Sequence, residues 1–263
     1  MKREKNTMRY TVSMIAAVLA SGLLLFAGNG LCDSNIQLKL STNTINISTF
    51  YNGTTLEATG TVPADSDVVL EVSGPKEDVH LKVKGKVMGV LWMNKTDVSL
   101  ENAPADYMLY YPENIKEDIF GPETGIGYEA VEEEITIEPD TEDRAFVFKE
   151  YVKLLEKSGV YAMNEGGVIY GPVADGKKPF TATLNIPSKM KPGEYHVRAI
   201  SLKNDSVTGS IDEPLTLQLT GFPKLIASLA FGKPLLFGIM AVVIAIFTGL
   251  VIGTLFKGGG GAH

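Results

Sequence analysis

Apolar and polar residues alternate with a period of two through several short runs of the chain. Val79, Leu81 and Val83 alternate with His80, Lys82 and Lys84, the pattern of a half-buried strand. Runs at 54–61, 67–72, 180–186, 194–202 and 215–219 are strand candidates too. Asn52-Gly53, Ser73-Gly74-Pro75, Lys84-Gly85-Lys86 and Pro192-Gly193 separate them with residues that tolerate turn dihedrals. Two strand-rich blocks, 36–100 and 167–219, predict a mainly β chain: an immunoglobulin-like antiparallel β-sandwich with Trp92 as its core aromatic. Neither block alone has strands enough for a two-sheet core, so one composite domain is expected over 31–220.

Between the blocks the period lengthens to that of a helix. Ala145, Phe148, Val152 and Leu155 recur at three- and four-residue steps. Thr141 is placed to cap the start, Glu142 and Asp143 complement the dipole, and Gly159 is placed to end it. The expectation is a helix over 142–158 packed on the sandwich.

Two long apolar segments frame this domain. The first follows Lys2, Arg3, Lys5 and Arg9, runs uncharged from Tyr10 to Ala27 and reaches small residues at Gly28 and Gly30. That is the plan of a signal peptide over 1–30. An uncleaved anchor is the alternative, and Leu31 argues against lipidation of Cys32. The second, Leu235–Phe256, holds 22 uncharged residues between Lys233 and Lys257. At 1.5 Å per residue it reaches about 33 Å as a helix, enough to cross a bilayer. A transmembrane helix is therefore expected over 234–256, followed by a short cytoplasmic tail at 257–263. Residues 221–233 carry Phe222, Leu225, Ile226, Leu229 and Phe231 at the spacing of an interfacial helix, and Pro234 favours a break after it. Gly249 and Gly253 form a small-xxx-small pair that permits close helix approach. Phe222, Leu225, Leu229, Phe231, Gly249 and Gly253 are the candidate partner-binding residues. Export of the N-terminus places the β domain on the periplasmic side of a bacterial inner membrane and the C-terminus in the cytoplasm.

Charge adds one local feature. The chain carries a formal net charge of −7, which disfavours nucleic-acid binding. Residues 101–143 hold 14 acidic residues and one basic, Lys116, while 33–220 as a whole is also −13. The excess thus sits in one acidic segment, which also carries Tyr107, Tyr110, Tyr111, Ile115, Phe120 and Tyr128 and is expected to fold against the sandwich. Glu138, Asp140 and Glu142 alternate as calcium ligands could, but no DxDxDG loop accompanies them, and a solvated or partner-facing patch is the favoured reading. One cysteine excludes an intrachain disulfide framework and a Cys-based zinc site. His80 and His196 each sit in an alternating strand pattern, which gives no catalytic template. Gly125-Ile126-Gly127 lacks the remaining spacing of a phosphate loop. No catalytic residue, metal ligand or cofactor is assigned.

The stretch GPKEDVHLKVKGKVMGVLWMNKTDVSLENAPADYMLYYP, residues 74–111, resembles the bacterial transmembrane family Alph_Pro_TM. The resemblance continues through Ser158-Gly159-Val160-Tyr161, Ile186-Pro187, Pro192-Gly193-Glu194-Tyr195, Gly221-Phe222 and Pro234-Leu235-Leu236-Phe237-Gly238. The acidic segment departs most from the family's pattern. The resemblance implies no transferable activity; it implies association with permeases of the TauE/SafE sulfite-exporter type. The sequence reading is thus a non-enzymatic, single-pass accessory subunit of such a permease. The alternative is a membrane-tethered binding module for a cell-envelope protein or glycan.

Overall fold

The computed structural model describes residues 36–87, 90–139 and 144–256. The signal-peptide reading of 1–30, Cys32, the cap at Thr141, Asp140, Glu142, Asp143 and the tail at 257–263 lie outside them. The strands, in chain order, are β1 (Gln37–Leu40), β2 (Thr44–Ile47), β3 (Thr54–Pro63), β4 (Asp67–Ser73), β5 (Lys76–Val87), β6 (Leu91–Pro104) and β7 (Tyr107–Tyr111). Helix α1 (Tyr128–Glu134), β8 (Thr136–Glu138) and helix α2 (Arg144–Ser158) come next. Then follow β9 (Tyr161–Glu165), β10 (Val168–Tyr170), β11 (Lys177–Ile186), β12 (Gly193–Lys203) and β13 (Ser206–Leu219). Helices α3 (Gly221–Gly232) and α4 (Pro234–Phe256) end the described chain.

The fold is mainly β. A four-stranded sheet, β1-β3-β11-β10, and a six-stranded sheet, β2-β13-β12-β4-β7-β9, hold most of the core, and β5-β6-β8 form a third sheet. Alternation builds the first: Phe180, Ala182, Leu184 and Ile186 of β11 and Leu56, Ala58 and Val62 of β3 are buried, with polar residues between them. Most pairings are antiparallel, as expected, but β13 runs parallel to β2 and β7 parallel to β9. Tyr110 joins the two sheets, its hydroxyl accepting the Asn185 N–H at 2.8 Å.

Residues 101–143 are more than an appendage. Their segment Tyr107–Tyr111 is β7, buried at every position and hydrogen-bonded between β4 and β9. A strand covered on both faces shows no alternation, and β4, buried from Val68 to Val72, is the same case. The most deeply buried aromatics are Tyr111, Tyr161, Tyr195 and Phe180. Trp92 pairs through its backbone with Lys86 far along the β5–β6 hairpin, where Leu91 and Met93 are exposed; its side chain is outside the described ones.

Helix α2 forms where its periodicity places it, with a shifted register. The buried face is Val147, Phe148, Tyr151 and Val152, while Ala145 is exposed and Leu155 half-buried. Tyr151 meets Tyr161 edge-on at 6.0 Å, and that aromatic anchor sets which stripe turns inward. Gly159, at φ +81°, ends the helix. The 23 residues of α4 are long and apolar enough to cross a membrane, with a mean hydropathy of 2.9 over an 18-residue stretch, and none is buried.

Candidate functional site

The outer face of the six-stranded sheet carries a cleft of about 590 Å³. Strand register builds its floor. Asp212 of β13, Arg198 of β12, Glu71 of β4 and Leu109 of β7 stand on one rung, and Pro214, His196, Ser73 and Tyr107 on the next. Even and odd positions face opposite sides of a pleated sheet, so Arg198, Glu71 and Tyr107 share the face away from the four-stranded sheet. Ala130, Val131 and Glu134 of α1 and the Gly125 backbone form the opposite wall.

Two ion pairs and a histidine–carboxylate contact line this space. Arg198 Nη2 lies 3.0 Å from the Glu71 carboxylate, whose side chain is 8% exposed against 39% for the arginine. Lys76 Nζ meets Glu134 Oε2 at 2.7 Å, and His196 Nδ1 meets Asp212 Oδ2 at 2.8 Å. The Tyr107 hydroxyl donates to Glu71 Oε2 at 3.0 Å and accepts the Gly127 N–H at 2.8 Å. Gly127, at φ +93°, starts α1, and a Cβ there would stand 2.9 Å from that of Phe120. Arg144, just after the acidic segment, donates to the carbonyls of Glu132 and Ile135 at 2.8 and 2.6 Å and holds the end of α1. Desolvation raises the pKa of Glu71 in spite of the lowering pull of Arg198, and burial pushes the Tyr107 phenol far above its ordinary range. Among the described residues Arg198 Nε is buried without a hydrogen-bond partner.

Behind the wall of the cleft lies Asp106, between β6 and β7 and 2% exposed. Its backbone carbonyl accepts the N–H of Gly74, a cleft residue, at 2.9 Å. The Tyr195 hydroxyl sits 3.0 Å from Asp106 Oδ2 and 2.9 Å from the Lys191 carbonyl, and among the described residues Oδ1 has no partner. Desolvation pushes the carboxyl up to about 6, against the lowering effect of the tyrosine bond. A cluster of tyrosines, Tyr107, Tyr128, Tyr161 and Tyr151, with neighbouring ring centroids 5.8–6.1 Å apart and only Tyr128 and Tyr161 stacked, links the cleft floor to α2.

The six partner-binding candidates stand elsewhere. Phe222, Leu225 and Phe231 are exposed on α3 and Leu229 is half-buried; Gly249 and Gly253 are exposed on α4. Nothing in the pattern of those six points to the cleft, which the sequence reading missed. Glu71, a carboxylate inside the apolar run Val68–Val72, was the available signal. His80 lies exposed on β5, away from His196. Among the described residues no group of three or more His, Cys, Asp or Glu side chains is placed to hold a metal. As a chemical site the cleft offers fixed, internally paired charges of both signs over a buried carboxylate, suited to holding a polar ligand.

Residues 35–258 match the family described as "Putative transmembrane protein (Alph_Pro_TM)". No curated protein matches the chain. Among solved structures, a family 123 glycoside hydrolase from Clostridium perfringens aligns with 72% of this chain at 8% identity and a TM-score of 0.24. The chain spans 28% of that enzyme's length, and so weak a likeness bears on neither fold nor function.

Proposed function

Because the chain belongs to the Alph_Pro_TM family of transmembrane proteins, we propose that it is a non-enzymatic, single-pass subunit that docks on another integral membrane protein, a permease of the TauE/SafE type. The observation that carries this reading is the pair α3 and α4. Twelve residues of apolar-faced helix lead through Lys233 into a 23-residue span, with Phe222 and Phe231 exposed before it and Gly249 and Gly253 within it. In lipid, helices associate through close packing at small residues rather than through the hydrophobic effect, so the glycine face would seat the partner and the α3 collar would rest on it at the interface. The β domain would then stand on the periplasmic side over the partner's mouth. Its acidic segment repels anions such as sulfite, so it would contact a basic surface of the partner instead of collecting substrate.

Purification of the intact chain from its own membranes in a mild detergent, with mass spectrometry of what accompanies it, tests the reading. A polytopic permease should come with the intact chain and be lost when α3 and α4 are exchanged for an unrelated anchor. Retention of the same partner after the exchange refutes it. The cleft favours a second reading, a membrane-tethered module that binds a cell-envelope ligand through Arg198, Lys76 and His196. In that case binding survives the exchange of anchor.

A further inference from the structure

We propose that the outer edge of β5 is a docking site for an extended partner segment in which acidic and apolar residues alternate, added as a further strand to the β5-β6-β8 sheet. This goes beyond the membrane-docking reading and does not depend on it. The order β5-β6-β8 leaves β5 at the margin, and among the described residues no strand pairs with its outer side. Its 12 residues present an unpaired backbone about 40 Å long. Free strand edges of this length are templates for strand addition.

The two faces of β5 state what the added strand would carry. Val79, Leu81 and Val83 are half-buried. Leu81 and Val83 face Phe146 and Leu154 of α2 across a groove of about 330 Å³. Phe146 is 58% and Leu154 55% exposed, so apolar surface stands open beside the free edge. The alternate positions, His80, Lys82 and Lys84, are all exposed, and the two lysines also border that groove, with Glu150 of α2 as its one acid among the described residues. Lys82 meets Asp97 at 3.5 Å, with that carboxylate 80% exposed, which leaves the row free to pair outward. In a domain whose net charge is −13, this strand is locally basic.

A second copy of the chain fits the edge poorly. Antiparallel self-pairing centred on Lys82 sets Lys82 opposite Lys82 and Lys84 opposite His80, and like charges directly opposite are destabilising. An acidic partner row reverses that sign. The fold already holds one such strand on the same sheet: β8, Thr136–Glu138, pairs with the far side of β6 with Ile137 buried and Glu138 exposed.

The test uses the full chain in mild detergent and a fluorescein-labelled peptide, Glu-Val-Glu-Ile-Glu-Val-Glu, read by anisotropy. Two further peptides are measured beside it, the same sequence with alternate backbone amides methylated and its lysine counterpart. The acidic peptide should bind saturably. N-methylation should weaken it about tenfold or more, because it removes ladder donors. The double variant Lys82→Glu/Lys84→Glu, on an exposed face where folding is kept, should weaken the acidic peptide about tenfold and favour the lysine peptide instead. Failure of the acidic peptide to bind, equal binding of the N-methylated peptide, or indifference to the charge reversal each overturns the proposal. The first would leave the lysines as guards against edge pairing.

Discussion

Substituting Asp106→Asn should stabilise the protein near neutral pH and cost it about 1 kcal/mol in acid, where the wild-type carboxyl is itself neutral. The reason lies in a single proton. The Tyr195 hydroxyl is within bonding distance of both Asp106 Oδ2 and the Lys191 carbonyl, yet it has one hydrogen to donate. A protonated Asp106 donates to Tyr195, which then donates to Lys191, and both bonds form; an ionised Asp106 takes the tyrosine proton for itself. Burial holds the carboxyl at about 6 in the folded chain against 3.8 as the ordinary value. A raised carboxyl pKa favours the folded state below the unfolded value, and this advantage is lost as pH rises through the folded one. The window is thus pH 3.8 to about 6, and at 1.36 kcal/mol per unit the loss is about 3 kcal/mol. Glu77 pushes in the same direction and Lys191 against it, and their mutual ion pair at 2.7 Å leaves burial dominant. Allowing about 1 kcal/mol for the amide's second hydrogen leaves about 2 kcal/mol, or a midpoint shift of about 4–8 °C for a domain of this size. Thermal unfolding of the full chain in detergent, followed by near-ultraviolet circular dichroism at pH 3.5 and 7.5, measures it. A variant that melts at or below wild type at pH 7.5, or one that still melts above it at pH 3.5, would refute the argument.

Arg198→Met should cost about 3 kcal/mol by leaving Glu71 charged and buried, and Glu71→Gln/Arg198→Met should recover most of it; additive losses in chemical denaturation would show that the two side chains are not coupled. Gly127→Ala should destabilise by about 1–3 kcal/mol, since φ +93° and a 2.9 Å approach to Phe120 both oppose a side chain; an unchanged melting midpoint would exclude strain at that turn. Gly249→Ile/Gly253→Ile should abolish co-purification of an integral membrane partner while leaving the β domain's melting midpoint intact, and partner recovery at the wild-type level would count against the glycine face.

Where one face of a strand is wet, the sequence declares it: β3, β5, β11 and β12 lie within a few residues of their alternating runs. Where both faces are dry the alternation disappears: β4 still shows as an apolar run, but Tyr107–Tyr111, placed in a segment of net charge −13, reads as part of an acidic excursion although it lies inside the larger sheet. In α2 the three- and four-residue steps give the helix but not its rotation, because Tyr151 and Val147 compete with Ala145 for the inward stripe and the neighbouring Tyr161 decides. The cleft depends on cross-strand register. Glu71 and Arg198 are 127 positions apart, and a single sequence gives no rule for aligning β4 with β12 at that distance. The membrane helix is the opposite case, since length and hydropathy alone set it.

The parallel pairing of β2 with β13 has a consequence for the order in which the molecule can be completed. In the larger sheet β13 stands between β2 and the other four strands, so among the described strands β2 acquires its ladder through β13. Thr220 alone separates β13 from α3, and its N–H donates to the Ile47 carbonyl of β2. A ribosome therefore releases the strand that recruits β2 immediately before it releases the helices that lead to the bilayer. Closure of the sheet and arrival of the anchor are nearly simultaneous events, and a chain stalled or truncated before residue 206 would leave β2, one of its earliest strands, without a partner.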